Sequence, residues 1–340
     1  MGDESMEMGS TLEAAKAWLG AIETGKAVHY ENLTLVPLVR AETGSASAGD
    51  ERRYVLLDDA LAAEEAAVEE VSEGGSVPLL AVDNQAVEPI LIPEGQILIG
   101  AKQNRTVNLT VLVAGKTKFE LPVSCVEQGR WSYRERRFRA GAFSHPRLRH
   151  RKVKSAQQAR AAGGRAMSDQ GVVWESVEEQ LSAVAAESPT RDAVDAYEAT
   201  RPRLETYREQ LALPDGASGV LAVVGGEVVG FDLFDEPETL AKLWPRLADA
   251  YFFQAVADRG RADEVASRSE SLGVERDLAK ARRFLATVRP RLAPAATQPD
   301  LGFEMELEGD DLAGAGVWHQ GAICHLAAFA VEEGVTGIAG

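Results

Sequence analysis

The chain has 340 residues, 45% apolar and 26% charged, ordinary values for a globular protein with a sizeable core. No window reaches the roughly 20 consecutive apolar residues of a membrane-spanning helix, and the N-terminus has neither a basic start nor an apolar signal core. A cytoplasmic protein with no membrane partner is therefore expected.

In chain order, residues 1–26 read as an N-terminal tail and helix. Ser10 and Glu13 have capping-box spacing, and Leu12, Ala15, Trp18, Leu19 and Ile22 form a helical apolar stripe that Gly25 stops. Residues 33–39 read as a strand, 42–50 as a polar loop, and the Ala- and Glu-rich stretch 59–71 as a helix. From 77 to 128 the pattern is β, with runs at 77–82, 88–92, 96–100, 107–113 and 118–126. Such close spacing predicts an antiparallel sheet or small barrel, and no dinucleotide-binding or phosphate-loop glycine signature follows any strand. Residues 130–165 lose clear periodicity and read as a surface excursion. Helices are predicted at 172–187 and 193–211, a hairpin at 219–234 about Gly225-Gly226, and a helix from Asp235 that Pro245 should kink. A charged helix at 274–288 precedes three closing strands at 302–307, 313–319 and 321–331. Residues 27–340 are thus expected to form a single α+β domain, a mostly antiparallel sheet or small barrel with several helices packed on it.

Charge is unevenly spread. Residues 130–165 hold twelve basic residues and one acid, Glu135, a local +11 that leaves −28 on the remainder of a chain whose total is −17. An acidic body repels nucleic acid at long range, whereas a local basic stretch still holds an anion. Trp131, Tyr133, Phe138 and Phe143 lie among these arginines, so RNA or DNA binding stays open beside the plainer reading of a segment docked on the acidic body or on a protein partner or second copy.

Two segments gather most of the polar chemistry. Gly100-Ala101-Lys102-Gln103-Asn104-Arg105 lies between two strands, and Ser124-Cys125-Val126-Glu127-Gln128-Gly129-Arg130-Trp131 ends the next. A hairpin about 114–116 would bring them to one sheet end. Lys102, Arg105 and Arg130 then supply donors for a phosphate, Gln103, Asn104 and Gln128 supply amide or ribose contacts, and Trp131 stacks on a base. The alternative is that they lock the sheet end, the cations pairing with Glu127 and nearby acids.

The catalytic candidates are Cys125 as nucleophile and Glu127 or His319 as acid/base. Against them, a strand cysteine is usually a small hydrophobe and a lone histidine in a turn is usually structural. Cys125 and Cys324 do not make a disulfide framework and suit a reducing compartment, and with five histidines they show no metal-ligand spacing. Neither a metal nor a cofactor is expected. The acidic run from Glu304 to Asp311 reads as a solvated strand face.

The same two segments, with His29-Tyr30-Glu31-Asn32-Leu33-Thr34 and Gly230-Phe231-Asp232-Leu233-Phe234-Asp235, resemble the protein domain family named for association with ADP-ribosylglycohydrolases and rhodanese-phosphatases. The resemblance runs from about residue 27 to the end. It implies a link to NAD-derived or ADP-ribose metabolism, and carries over no catalytic residues. The expected function is an accessory binding protein for ADP-ribose or another NAD-derived phosphorylated nucleotide. A hydrolase or transferase acting on such a ligand is the enzymatic alternative.

Overall fold

A computed structural model describes residues 2–41, 53–72, 74–163, 167–259, 270–295, 299, 301–307 and 309–330. The polar loop expected at 42–50 lies outside them.

Helix α1 (Gly2–Leu19) leads into strands β1 (Ile22–Thr24), β2 (Val28–Tyr30) and β3 (Leu33–Arg40). The helix starts well before Ser10, whose hydroxyl donates to the Glu7 carbonyl at 2.8 Å inside it instead of capping a terminus. Next come β4 (Val55–Leu56), α2 (Leu57–Ala62), β5 (Ala66–Glu70), β6 (Leu79–Asn84), β7 (Ile90–Ile92) and β8 (Gln96–Gly100). These are followed by β9 (Arg105–Val107), β10 (Val111–Val113), β11 (Thr117–Cys125) and β12 (Phe138–Phe143). The predicted helix 59–71 is therefore half strand. β5 pairs along β6, burying Ala66 and Val68 at period two, and that burial outweighs the helix propensity of its alanines and glutamates.

The second half begins with α3 (Pro146–Ala161), α4 (Gln170–Ala183) and α5 (Ala193–Gln210). The hairpin β13 (Gly219–Val224) and β14 (Glu227–Phe234) turns at Gly225 and Gly226, whose φ values of 59° and 83° suit a primed turn. Then follow α6 (Pro237–Ala257), unbroken across Pro245, and α7 (Glu270–Val288), β15 (Leu292–Pro294), β16 (Phe303–Leu307), β17 (Leu312–His319) and β18 (Ala322–Ala330).

The architecture is α+β, and every ladder among the described residues is antiparallel except β4–β7. The largest sheet runs β1-β3-β13-β14-β18-β17-β16-β15, with β2 also on β3, so the C-terminal strands complete a sheet that the N-terminal ones begin. Side chains alternate across it. Val36, Leu38, Leu221 and Val223 pack under α1 and α7, while Leu33, Leu35, Val220 and Ala222 pack under α5 and α6. A six-stranded sheet, β12-β8-β9-β11-β6-β5, encloses its own core of Val68, Leu80, Leu98, Val107, Leu121 and Val123.

The stretch 130–165 is not a surface excursion beyond about residue 137. It forms β12 and then α3, whose Leu148, Arg149, Lys152, Val153 and Ala156 face inward. Arg149 is fully buried, with Nη2 2.6 Å from Asp232 of β14 and Nε 2.8 Å from Glu94 of the β7–β8 connection. Lys152 donates to Glu94 at 2.6 Å. His325 of β18 lies 3.0 Å from Asp232 through Nε2 and 2.6 Å from the Thr110 hydroxyl through Nδ1, and Tyr251 of α6 also donates to Asp232. Two buried cations thus meet two buried anions where three sheets and two helices converge, and each desolvation cost is offset by direct pairing.

Candidate functional site

The two polar segments meet, although not through the hairpin expected about 114–116. Residues 107–113 are not one strand. β10 leaves to pair with β7, while β9 pairs with β11 and sets Arg105 opposite Cys125 and Thr106 opposite Ser124. Asn108 and Thr110 make the crossing between sheets, both buried, with Asn108 Oδ1 accepting from the Ser124 hydroxyl at 2.8 Å.

The Gly100–Asn104 turn has a backbone that few sequences adopt. Gly100 has φ +141°, and a Cβ there would lie 2.5 Å from the Arg137 carbonyl; Ala101 follows with φ +36°. A non-glycine residue at positive φ persists only where its surroundings over-determine it. Arg130 supplies that constraint. Its Nη1 donates to the carbonyls of Ala101 at 2.6 Å and Ser132 at 2.8 Å, and its Nη2 donates to that of Gly100 at 3.3 Å. Nε and Nη2 also grip Glu127 at 2.8 and 2.6 Å. All five donors of Arg130 are thereby committed within the protein.

Glu127 is fully buried and also accepts from the Asn104 backbone at 3.1 Å and the Thr190 hydroxyl at 3.1 Å. Burial alone would raise its carboxyl, but the bonds from Arg130, Asn104 and Thr190 hold it below the usual range. A carboxylate so engaged is an anchor and has no proton to exchange. Asn104 is equally committed: Oδ1 accepts from Gly100 at 3.1 Å, and Nδ2 donates to Asp192 at 2.7 Å. Gln128 offers its carbonyl to Gln103 at 3.2 Å, while its exposed side chain accepts from Arg191 at 3.0 Å. Asn104, Glu127, Gln128 and Arg130 therefore hold the turn in shape.

What the turn presents is a smaller group. Gln103 Oε1 accepts from Arg105 Nη1 at 3.2 Å and lies 3.1 Å from Cys125 Sγ. Arg105 is wholly buried, yet its Nε and Nη2 make no hydrogen bond; Nη2 has only an ion-pair partner, Glu70 Oε1, at 3.7 Å. Burial lowers the pKa of Arg105, against the pull of Cys125 and Glu70. Trp131, 48% exposed, covers this guanidinium with 5.7 Å between them, and the Lys102 ammonium sits 5.3 Å from the same ring and 5.2 Å from that of Tyr133.

Cys125 is buried beneath this group. Burial pushes its thiol up to about 11, although Arg105 pulls the other way, so it is a neutral thiol at ordinary pH. His319 stands in the β17–β18 turn, where burial and then Arg53 lower its pKa, and among the described residues it shares no hydrogen bond or ion pair with Cys125 or Glu127. A nucleophile–base pair is not assembled from these three.

Two contributors escaped the sequence reading. Glu70, at the end of β5, accepts from the Lys102 backbone at 3.4 Å through Oε1, while its buried Oε2 has no hydrogen-bond partner. Asp192 caps α5, accepting from Val194 at 3.0 Å, and burial pushes its carboxyl up to about 7, reinforced by Glu127 beside it. Glu70 offers no local signal, because the β5–β6 ladder alone brings it to the turn. The Asp192 cap was legible as a helix start, but its contact with Asn104 was not.

The rest of the basic segment is largely neutralised. Arg137 pairs with Glu69, Arg147 with Asp258, Arg151 with Glu179 and Lys154 with Asp310. Arg160 grips Glu304 at 2.7 Å and Glu306 at 2.6 Å, so that part of the acidic run is a docking face for α3 and not simply solvated. A surface groove of 540 Å³ lies elsewhere, between α1, β1 and α7, and contains none of the turn's residues. Among the described residues no helix is long and apolar enough to cross a membrane, and no group of three or more His, Cys, Asp or Glu is placed to hold a metal ion.

No curated protein and no solved structure matches the chain. The ARG and Rhodanese-Phosphatase-superfamily-associated Protein domain matches residues 21–329, nearly the whole length and including every residue of the turn, and the chain belongs to that family.

Proposed function

We propose that this protein binds a phosphorylated, NAD-derived nucleotide, ADP-ribose or a close relative, at the Lys102–Arg105–Trp131 group, and that it acts as a binding protein. The observation that carries this is Arg105, a fully buried guanidinium with two nitrogens lacking hydrogen bonds, under a half-exposed indole. Leaving buried donors unmatched costs roughly 1–3 kcal/mol, a cost that a ligand acceptor would remove. Trp131 offers a stacking face for a base, and Lys102 supplies positive charge for a phosphate near the surface. The enzymatic alternative has less support, since Cys125 is a buried thiol, Glu127 is locked by Arg130 and, among the described residues, His319 shares no hydrogen bond or ion pair with either. Nucleic-acid binding has less still, because much of the basic segment is paired with acids of the same chain.

A thermal-shift panel with ADP-ribose, NAD, AMP and inorganic phosphate tests the reading. A ligand at about 100 times its Kd adds roughly 2.7 kcal/mol of stability, which for a chain of this size is a shift of a few degrees. The expected result is a shift with the dinucleotide-type ligands that phosphate does not reproduce and that Trp131→Ala diminishes. No shift with any of them overturns the reading.

A further inference from the structure

Three buried atoms, two donors and one acceptor, lie unmatched in one place beneath Trp131. Arg105 offers Nε and Nη2 as donors, and Glu70 offers Oε2 as an acceptor. The two side chains are neighbours across a gap wider than a hydrogen bond, since the other Glu70 oxygen stands 3.7 Å from Arg105 Nη2. Both side chains are almost completely buried, at 0% and 2%. The neighbouring Gln103 carbonyl is already engaged by Cys125 and by Arg105 Nη1.

Gly75 packs closely against this pair with no side chain of its own. It has φ +75°, and a Cβ on it would lie 3.2 Å from Glu70 Oε2, 3.3 Å from the Trp131 ring and 3.4 Å from Lys102 Cδ. The glycine thus keeps the approach to Glu70 free of a side chain at the edge of the indole.

The formal charges of Arg105 and Glu70 cancel, which changes what the buried end selects. A second anion, whether phosphate or carboxylate, would gain Arg105 but face the unpartnered oxygen of Glu70 in a dry site, where like charges repel strongly. A neutral group carrying an acceptor and a donor on one planar carbon meets both requirements. Its oxygen accepts from the Arg105 guanidinium, and its NH2 donates to Glu70 Oε2. We infer that the buried end of this site takes a primary carboxamide, so that within the nucleotide class proposed above it selects the amide-bearing dinucleotide over ligands ending in a carboxylate or a phosphate. This inference rests on that reading and narrows it. The phosphates then remain toward Lys102 and solvent, and the indole must move aside to admit the amide.

The experiment compares NAD with its deamido counterpart, in which a carboxylate replaces the carboxamide, and with ADP-ribose, by calorimetry on the full chain. Stranding Glu70 Oε2 against a carboxylate is expected to weaken binding about tenfold or more, so NAD binds at least that much more tightly than deamido-NAD. In Glu70→Gln, where the repelling charge is gone and Arg105 is uncompensated, the preference is expected to vanish or invert. Equal affinities for the amide and the acid in the wild-type protein overturn the inference and leave nucleotide binding standing. ADP-ribose binding as tightly as NAD, with no discrimination against the acid, has the same consequence and assigns the buried end to ribose hydroxyls. If none of the three binds, the nucleotide reading falls and this inference with it. The wild-type comparison needs no variant, so misfolding of Glu70→Gln would not remove the test.

Discussion

Arg105 stands directly across the β9–β11 ladder from Cys125, and the carbonyl oxygen of Gln103 touches both, 3.2 Å from the guanidinium and 3.1 Å from the thiol. Strand pairing, and not proximity in sequence, makes this the centre of the site. It gives the cysteine a cationic neighbour without making it a thiolate, because burial dominates.

The thiols are therefore expected to be inert in the folded protein. With Cys125 pushed up to about 11 and Cys324 raised further by burial, alkylation by iodoacetamide at pH 8 should run on the order of a hundredfold slower than for a free cysteine. Rapid alkylation of the native protein at Cys125, located by mass spectrometry, would revive its candidacy as a nucleophile.

Arg130→Ala is expected to be severely destabilising. It strands the buried Glu127 carboxylate and releases the carbonyls that hold Ala101 at positive φ, a loss of about 3–5 kcal/mol in urea unfolding. Arg130→Lys should recover little of it, since an ammonium has three donors where five are in use.

Trp131→Ala separates binding from stability. The ring is half exposed, so the unfolding free energy should change by less than about 1 kcal/mol, whereas lost stacking should weaken nucleotide binding by about 1–3 kcal/mol. Calorimetric titration of both proteins with NAD reads the difference.

Asp192 makes a prediction about pH. Its folded pKa of about 7 lies above its ordinary value of 3.8. Between those values the unfolded chain has released the proton and the folded chain keeps it, so this group's contribution to stability falls as pH rises. The slope is at most about 1.4 kcal/mol per pH unit. The stability of the wild-type protein minus that of Asp192→Asn should decline from pH 4 to about pH 7 and then level off. A difference flat across that range would show that Asp192 titrates normally.

Inside the core, Asp232→Asn should cost several kcal/mol by leaving Arg149 short of its bidentate partner. Removing the exposed Lys242–Asp59 pair should cost less than about 1 kcal/mol. Chemical denaturation of the two variants ranks them.

Much of this was legible in the sequence. The hairpin at 219–234 announces itself through Gly225-Gly226 between apolar runs, and polar clusters at strand ends single out Lys102–Arg105 and Cys125–Trp131, although it is the β9–β11 ladder and not the expected hairpin that brings them together. Helix α3 was hidden for a physical reason: Arg149 and Lys152 occupy core-facing positions, so its inward stripe reads as polar until Glu94 and Asp232 are placed against it. β5 was hidden because alanine and glutamate favour a helix in isolation, and only the neighbouring β6 shows which face is buried. The division of the turn into residues that hold its shape and residues that face outward depends on hydrogen-bond partners, which no spacing rule reports.

The buried charge network also decides how the chain can be divided. Glu94, Arg149 and Lys152 come from the first half of the sequence and carry a formal +1, while Asp232, with His325 and Tyr251 around it, comes from the second half and carries −1. A polypeptide severed between α5 and β13 would leave each fragment with an unmatched charge where its interior should be. Neither piece should then fold alone, yet the opposite signs and shared hydrogen bonds should favour their recombination when expressed together. The protein is in this sense a natural candidate for reconstitution from two fragments, with the Arg149–Asp232 pair as the lock between them.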